Sequence, residues 1–175
     1  MDKLITESIS FVPIAAEDAK ILILGSMPGI KSLDEQQYYA HPRNAFWPIM
    51  ASLFNIELNL DYAERCQQLK RNHIAVWDVL KSCRRQGSLD QAIETDSIVA
   101  NDFNAFLQQH KQIQRIFFNG GKAEQVFKRH VMPTINVEQQ LSFQLLPSTS
   151  PAHAAKSLDE KCQLWENALF KKNNV

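Results

Sequence analysis

Four short apolar runs mark out the chain: Ile21-Leu22-Ile23-Leu24, Ile74-Ala75-Val76-Trp77, Ile116-Phe117-Phe118 and 143–146. Each is continuous rather than alternating and ends in a polar or turn-forming segment, the pattern of strands buried on both faces of a parallel sheet. Helical periodicity fills the intervals. Phe46, Ile49, Met50, Leu53 and Phe54 form one stripe, Val99, Phe103, Phe106 and Leu107 a second, and Ala123, Val126, Phe127 and Val131 a third. A last helix near 157–171 carries Leu158, Cys162, Trp165 and Leu169 on one face, and Tyr62–Arg71 is polar but helix-favouring. Strands separated by helices predict the α/β class, as a three-layer α/β/α sandwich with a central, mainly parallel four-stranded sheet.

Open sheets of this kind bind ligands beyond the carboxyl ends of their strands. The segments that follow the runs are 25–29, 78–87, 119–121 and 147–153, all rich in Gly, Pro, Ser or Asn. The length of 175 residues suits one domain over 1–175. Nineteen Lys plus Arg balance nineteen Asp plus Glu, which excludes a chain that holds nucleic acid by bulk charge. Cys66, Cys83 and Cys162 are far apart and form no metal-ligand cluster or disulfide framework. With no apolar leader and no apolar run of about 18 residues, a reduced, cytoplasmic, soluble protein is expected, with no membrane partner. No metal or other cofactor is expected.

The first turn is neither GxGxxG nor GxxxxGK[ST], and Ser26 is misplaced for a GxSxG elbow. What it does resemble is specific. Gly25-Ser26-Met27-Pro28-Gly29, then Tyr38-Tyr39-Ala40-His41-Pro42-Arg43-Asn44-Ala45-Phe46-Trp47, resemble the N-terminal motif of the uracil-DNA glycosylase superfamily, most closely its hypoxanthine-DNA (deoxyinosine) glycosylase branch. Trp77-Asp78-Val79-Leu80, Cys83-Arg84-Arg85-Gln86-Gly87-Ser88, Phe117-Phe118-Asn119-Gly120 and Leu146-Pro147-Ser148-Thr149-Ser150-Pro151-Ala152 continue the likeness in order, over about residues 20–165.

The resemblance implies a monofunctional glycosylase that hydrolyses the N-glycosidic bond of a flipped, deaminated base in double-stranded (or single-stranded) DNA, as a monomer. Met27 stands where another branch carries a water-positioning Asn, and Leu146 where relatives have His or Asn, which turns the expectation from uracil towards a purine. The resemblance to the hypoxanthine branch implies that the catalytic role belongs to the Asn of the HPRN segment, which is Asn44 here. An amide does not titrate, yet its carbonyl accepts and its NH₂ donates, so it can hold a water in line with an incipient oxocarbenium ion. Gly25, Ser26, Met27, Pro28, Gly29, Tyr39, Phe46, Asp78 and Asn119 are the implied base-binding set, with Phe46 or Tyr39 stacking on the base and Asn119 pairing with its edge. Lys81, Arg84 and Arg85 form the densest basic patch. With Pro147, Ser148, Thr149, Ser150 and His153 they are the expected DNA-binding residues, and a wedge is sought among Thr149, Pro151, Ala152 and His153.

Each residue also has a plainer reading. Asn44 suits a helix cap, Asn119 a strand-end turn, Asp78 the end of its strand, and the Lys81–Arg85 run a solvated surface. At the level of function, the alternatives are release of uracil, xanthine or a mismatched pyrimidine, non-catalytic binding of damaged or single-stranded DNA, and hydrolysis of free nucleosides.

Overall fold

The computed structural model describes residues 5–171. Strand β1 (Thr6–Ile9) leads to β2 (Ile21–Gly25), followed by helices α1 (Ile30–Glu35), α2 (Phe46–Phe54) and α3 (Tyr62–Arg71). Strands β3 (Ile74–Asp78), β4 (Leu80–Arg85) and β5 (Val99–Ala100) precede α4 (Phe103–Gln109). Then come β6 (Arg115–Asn119), α5 (Gly121–His130), β7 (Ser142–Leu146) and α6 (Leu158–Phe170).

The apolar runs pair as one parallel sheet of order β3-β2-β6-β7. The chain crosses from β2 to β3 on one side and then builds β6 and β7 on the other. The carboxyl end of β2 is therefore the switch point where such sheets open a crevice. Aromatic residues fill both faces. Trp77 packs on Phe103 and Phe106 of α4, and Phe118 on Phe127 of α5. On the opposite face Phe46 meets Trp47 and Trp165, joining α2 to α6. Arg115 closes this layer from below, its guanidinium over Phe117 and its N–H groups donating to the last carbonyls of α6, at Ala168 and Leu169.

Local chemistry explains the helix boundaries. Asp61 caps α3 through the Glu64 amide, and Lys70 and Arg71 complement its C-terminal dipole. Ser157 and Glu160 form a reciprocal capping box on α6.

Three elements depart from the periodicity. Val99 does not begin a helix: it pairs with Ser82 in β5, and α4 starts only after Asp102, whose carboxylate accepts from the Ala105 amide. The segment after Asp78 is not a loop, because β4 begins after the single residue Val79 and joins β1 and β5 in a second, antiparallel sheet of order β1-β4-β5. Its alternation of buried Leu80, Cys83 and Arg85 with exposed Lys81 and Arg84 is masked in sequence by the three charges. Finally, β7 is the edge of the main sheet, not a doubly covered strand; of its residues only Leu146 is buried, and Leu145 is 47% exposed.

Candidate active site

A cavity of about 420 Å³ opens at the switch point, within the range of about 300–1,000 Å³ usual for small-ligand clefts. Its floor comes from the ends of three adjacent strands: Gly25 of β2, Asp78 of β3 and Asn119 of β6. The 25–29 turn, Tyr39, Asn44 and the 148–153 loop form the walls.

The 25–29 turn is held from beneath by residues far along the chain. Ser26 Oγ donates to Asp90 Oδ1 at 2.6 Å, Ser88 Oγ accepts from the Ile30 amide at 2.8 Å, and Arg85 donates to the Pro28 carbonyl. Main-chain bonds from Val79 and Leu80 to the Gly25 and Ser26 carbonyls complete the clamp. The opposite wall is braced in the same way. Ala45 N–H donates to Thr149 O, Ser148 Oγ accepts from Ser150 N, and the buried Lys161 ammonium donates to Ser150 O. Burial pulls the Lys161 pKa down. Gly120 passes under this loop at φ +95, where an added Cβ would lie 3.0 Å from Ser148 Cβ, so only glycine fits the crossing.

Asn44 ends the 41–44 turn, in which its amide N–H donates to His41 O. Its side-chain Oδ1 accepts from Phe46 N at 2.9 Å, at the first turn of α2. That bond fixes the plane of the amide, and its Nδ2 has no partner among the described residues. The N-cap of α2 is Ala45, with no side-chain cap bond, so Asn44 does not cap the helix as its residue type suggested: its Oδ1 closes a local turn onto Phe46 N–H, and its side chain lines the cavity.

Asp78 is the most perturbed acid here. It is 3% exposed, and burial, with the nearby Asp90 carboxylate adding to it, raises its pKa to about 7. Ser10 Oγ donates to its Oδ2 at 2.9 Å, while Oδ1 has no hydrogen-bond partner among the described residues. Gly25 lets this carboxyl lie close over the backbone, since a Cβ there would fall 2.6 Å from Oδ1 and 3.1 Å from the Tyr39 hydroxyl. The Tyr39 hydroxyl is itself buried beside Asn119 without a well-formed hydrogen bond, and burial raises its pKa.

A sequence model of the uracil DNA glycosylase superfamily matches residues 12–170. The chain belongs to that superfamily. A Methanosarcina acetivorans protein named hypoxanthine DNA glycosylase is 33% identical over 162 residues, 92% of this chain and 96% of that one. A Methanosarcina barkeri protein of the same name is 39% identical over 114 residues, 65% of this chain and 71% of the other. The solution NMR structure of a Methanosarcina acetivorans protein, provisionally named a uracil DNA glycosylase, superposes with a TM-score of 0.74 at 30% identity. The match covers 93% of this chain and 98% of that chain.

In this superfamily member the cavity brings together most residues expected from the motifs: Gly25, Ser26, Met27, Pro28, Gly29, Tyr39, Asn44, Asp78 and Asn119, with Ser148, Thr149, Ser150 and His153. Several expectations change. Phe46 has no exposed face to offer a base: it is fully buried, with Tyr39 stacked on it at 4.1 Å between ring centroids. Arg85 is no surface contact either, being 1% exposed and committed to the 25–29 turn. Arg84 is exposed but ion-paired with Glu94 and Asp96, and neither it nor Lys81 lines the cavity. Thr149 is buried and exchanges two hydrogen bonds with the Asn119 amide, both at 2.9 Å, so it is not a wedge. The same pair occupies one N–H and one lone pair of Asn119, which leaves no free bidentate edge. Pro147 lies behind the wall, its carbonyl accepting from Trp165 Nε1.

Ser10, Asp90 and Lys161 went unread in the sequence, and Ser88 was seen only as the last residue of the Cys83–Ser88 motif, which does not say which turn it holds.

Proposed function

We propose that this chain is a monofunctional DNA glycosylase that excises hypoxanthine, initiating repair of deaminated adenine. The proposed unit is a single domain over 1–175, acting as a cytoplasmic monomer on duplex DNA. The observation that carries this reading is the Asn44 amide, oriented by Phe46 N–H and without a partner at Nδ2 among the described residues, beside a cavity at the sheet's switch point. The two Methanosarcina relatives named hypoxanthine DNA glycosylase support the choice of base.

The chemistry follows from what the site holds. Cleavage of an N-glycosidic bond develops positive charge on the sugar, so the attacking water needs placement more than deprotonation. Asn44 supplies placement: its anchored carbonyl keeps a second lone pair for a water, and its NH₂ donates to an oxygen or base edge. Extruding the nucleotide costs a few kcal/mol and is cheapest for a mispaired base. The apolar Met27 wall favours the flat face of a base over a hydrated polar group. Lys31, at the rim, is ion-paired with Glu35 at 2.5 Å, which raises its pKa and opposes its use as a Schiff-base nucleophile.

The test is single-turnover release from labelled duplexes carrying inosine, uracil or xanthine, followed by alkaline cleavage of abasic sites. Release at inosine is expected. Asn44→Ala should slow it by about 100-fold or more and lower stability by about 1 kcal/mol through the lost turn bond to Phe46 N–H. Asn44→Asp keeps the acceptor for Phe46 N–H and drops the donor, so it should be as slow while melting like wild type. An Asn44→Asp enzyme as fast as wild type would refute the role of the amide; inosine duplexes left intact by wild type would refute the function.

A further inference from the structure

We propose that Asp78 donates a proton to a ring nitrogen of the departing purine as its bond to the sugar breaks. This rests on the glycosylase reading above and adds the group that Asn44 cannot replace, since an amide carries no titratable proton.

The geometry narrows the choice. The cavity is lined by few groups able to deliver a proton, and most are engaged. Lys31 is paired with Glu35, and the Tyr38 hydroxyl donates to Val12 O at 2.9 Å; His41, whose Nδ1 accepts from Arg43 N, and His153 lie on the loops of the cavity walls and not on its floor. Asp90 Oδ1 holds Ser26, and Asn119 is tied to Thr149. Asp78 and Asp90 each have one oxygen anchored, but Asp78 stands on the cavity floor at the end of β3, whereas Asp90 lies on the turn after β4 and braces the 25–29 turn. Ser10 anchors Oδ2, and Oδ1 lies over Gly25 with no partner among the described residues. The Tyr39 hydroxyl beside it is sealed from solvent, whereas Oδ1 is not among the sealed unpartnered atoms of the described residues and faces the cavity floor, where a base edge can reach it.

The groups around Asp78 set its state. Burial dominates and favours the neutral acid, and Asp90, on the turn after β4, acts in the same direction. Ser10, from the segment after β1, and Arg85, on β4, favour the carboxylate. Tyr38 and Tyr39, after α1, are neutral neighbours, their hydroxyl pKa values raised by burial. With a pKa of about 7 the acid is protonated in a large share of molecules near neutrality and gives its proton up readily, the match a general acid needs.

The step balances without a further reactant. The C1′–N9 electron pair leaves with the purine, which takes the Asp78 proton and departs neutral. Water oxygen bonds to C1′ and its surplus proton passes to solvent, from which the Asp78 carboxylate is reprotonated.

The experiment is single-turnover hypoxanthine release from an inosine duplex between about pH 5 and 9. The wild-type rate should fall about tenfold per pH unit above about 7, following the protonated fraction. Asp78→Asn should lose about 100-fold or more at pH 6 and show no such limb, while binding the duplex as wild type does. Ser10→Ala removes a bond that favours the carboxylate. Whatever its effect on the rate at pH 6, it should move the limb upward by about one pH unit. An Asp78→Asn enzyme with wild-type rate and profile, or a limb that Ser10→Ala leaves in place, overturns the proposal. A wild type that releases uracil but no hypoxanthine at any pH overturns the base assignment instead, and one that releases neither overturns the glycosylase reading.

Discussion

Replacing Asp78 by Asn should stabilise the protein, and increasingly so as pH rises. The native carboxyl titrates near 7 against a reference of 3.8, a gap of about three units. Each unit is worth about 1.36 kcal/mol, so ionising Asp78 inside the fold costs about 4 kcal/mol in full. A raised carboxyl pKa means that the native state holds its proton more tightly than the unfolded chain. Stability from this residue is therefore complete below about pH 4, declines as pH climbs towards 7, and is flat above. Asn has nearly the shape of the neutral acid and can still accept from Ser10 Oγ, but it never ionises. The variant's advantage should be about 4 kcal/mol near pH 8.5 and less than half of that near pH 5. Asp90 titrates in both proteins and largely cancels in the difference. Urea unfolding of both proteins at the two pH values is the assay, with the m-value confirming that the same surface is exposed. A stability difference that is independent of pH, or a variant less stable at pH 8.5, would refute the account of Asp78 as a buried acid held at the expense of stability. Strain stored at a functional site is the general expectation that this tests.

Gly120→Ala should destabilise by more than about 1 kcal/mol, because φ +95 is strained for any side chain and the new Cβ meets Ser148; its melting temperature relative to Gly121→Ala, where the space is open, checks this. Arg85→Ala should destabilise by about 1–3 kcal/mol, through the bond lost from the Pro28 carbonyl and the space left beneath the 25–29 turn. Arg84→Ala, on the neighbouring exposed position, should leave the unfolding midpoint unchanged, and equal effects from the two arginines would contradict the burial assignment.

The continuous apolar runs, the helical stripes between them and the turn residues after them determine the parallel sheet, the helices α2 to α6 and the end of the sheet where chemistry occurs. Those features depend on periodicity and local backbone preference, which are legible within a window of about 10–18 residues. The turn that Asn44 makes is local in the same way, since its bond to Phe46 N–H is a contact two residues away. Only the folded chain decides which of the other polar side chains remain free. The bonds that commit Arg85 to Pro28, Ser26 to Asp90, Asn119 to Thr149 and Ser10 to Asp78 join residues 30 to 68 positions apart. A sequence pattern assigns a charge to Arg85 and an amide to Asn119. It does not say that one is sealed beneath a turn and the other spent on a loop, and the ionisation of Asp78 depends on water excluded by elements from across the whole fold.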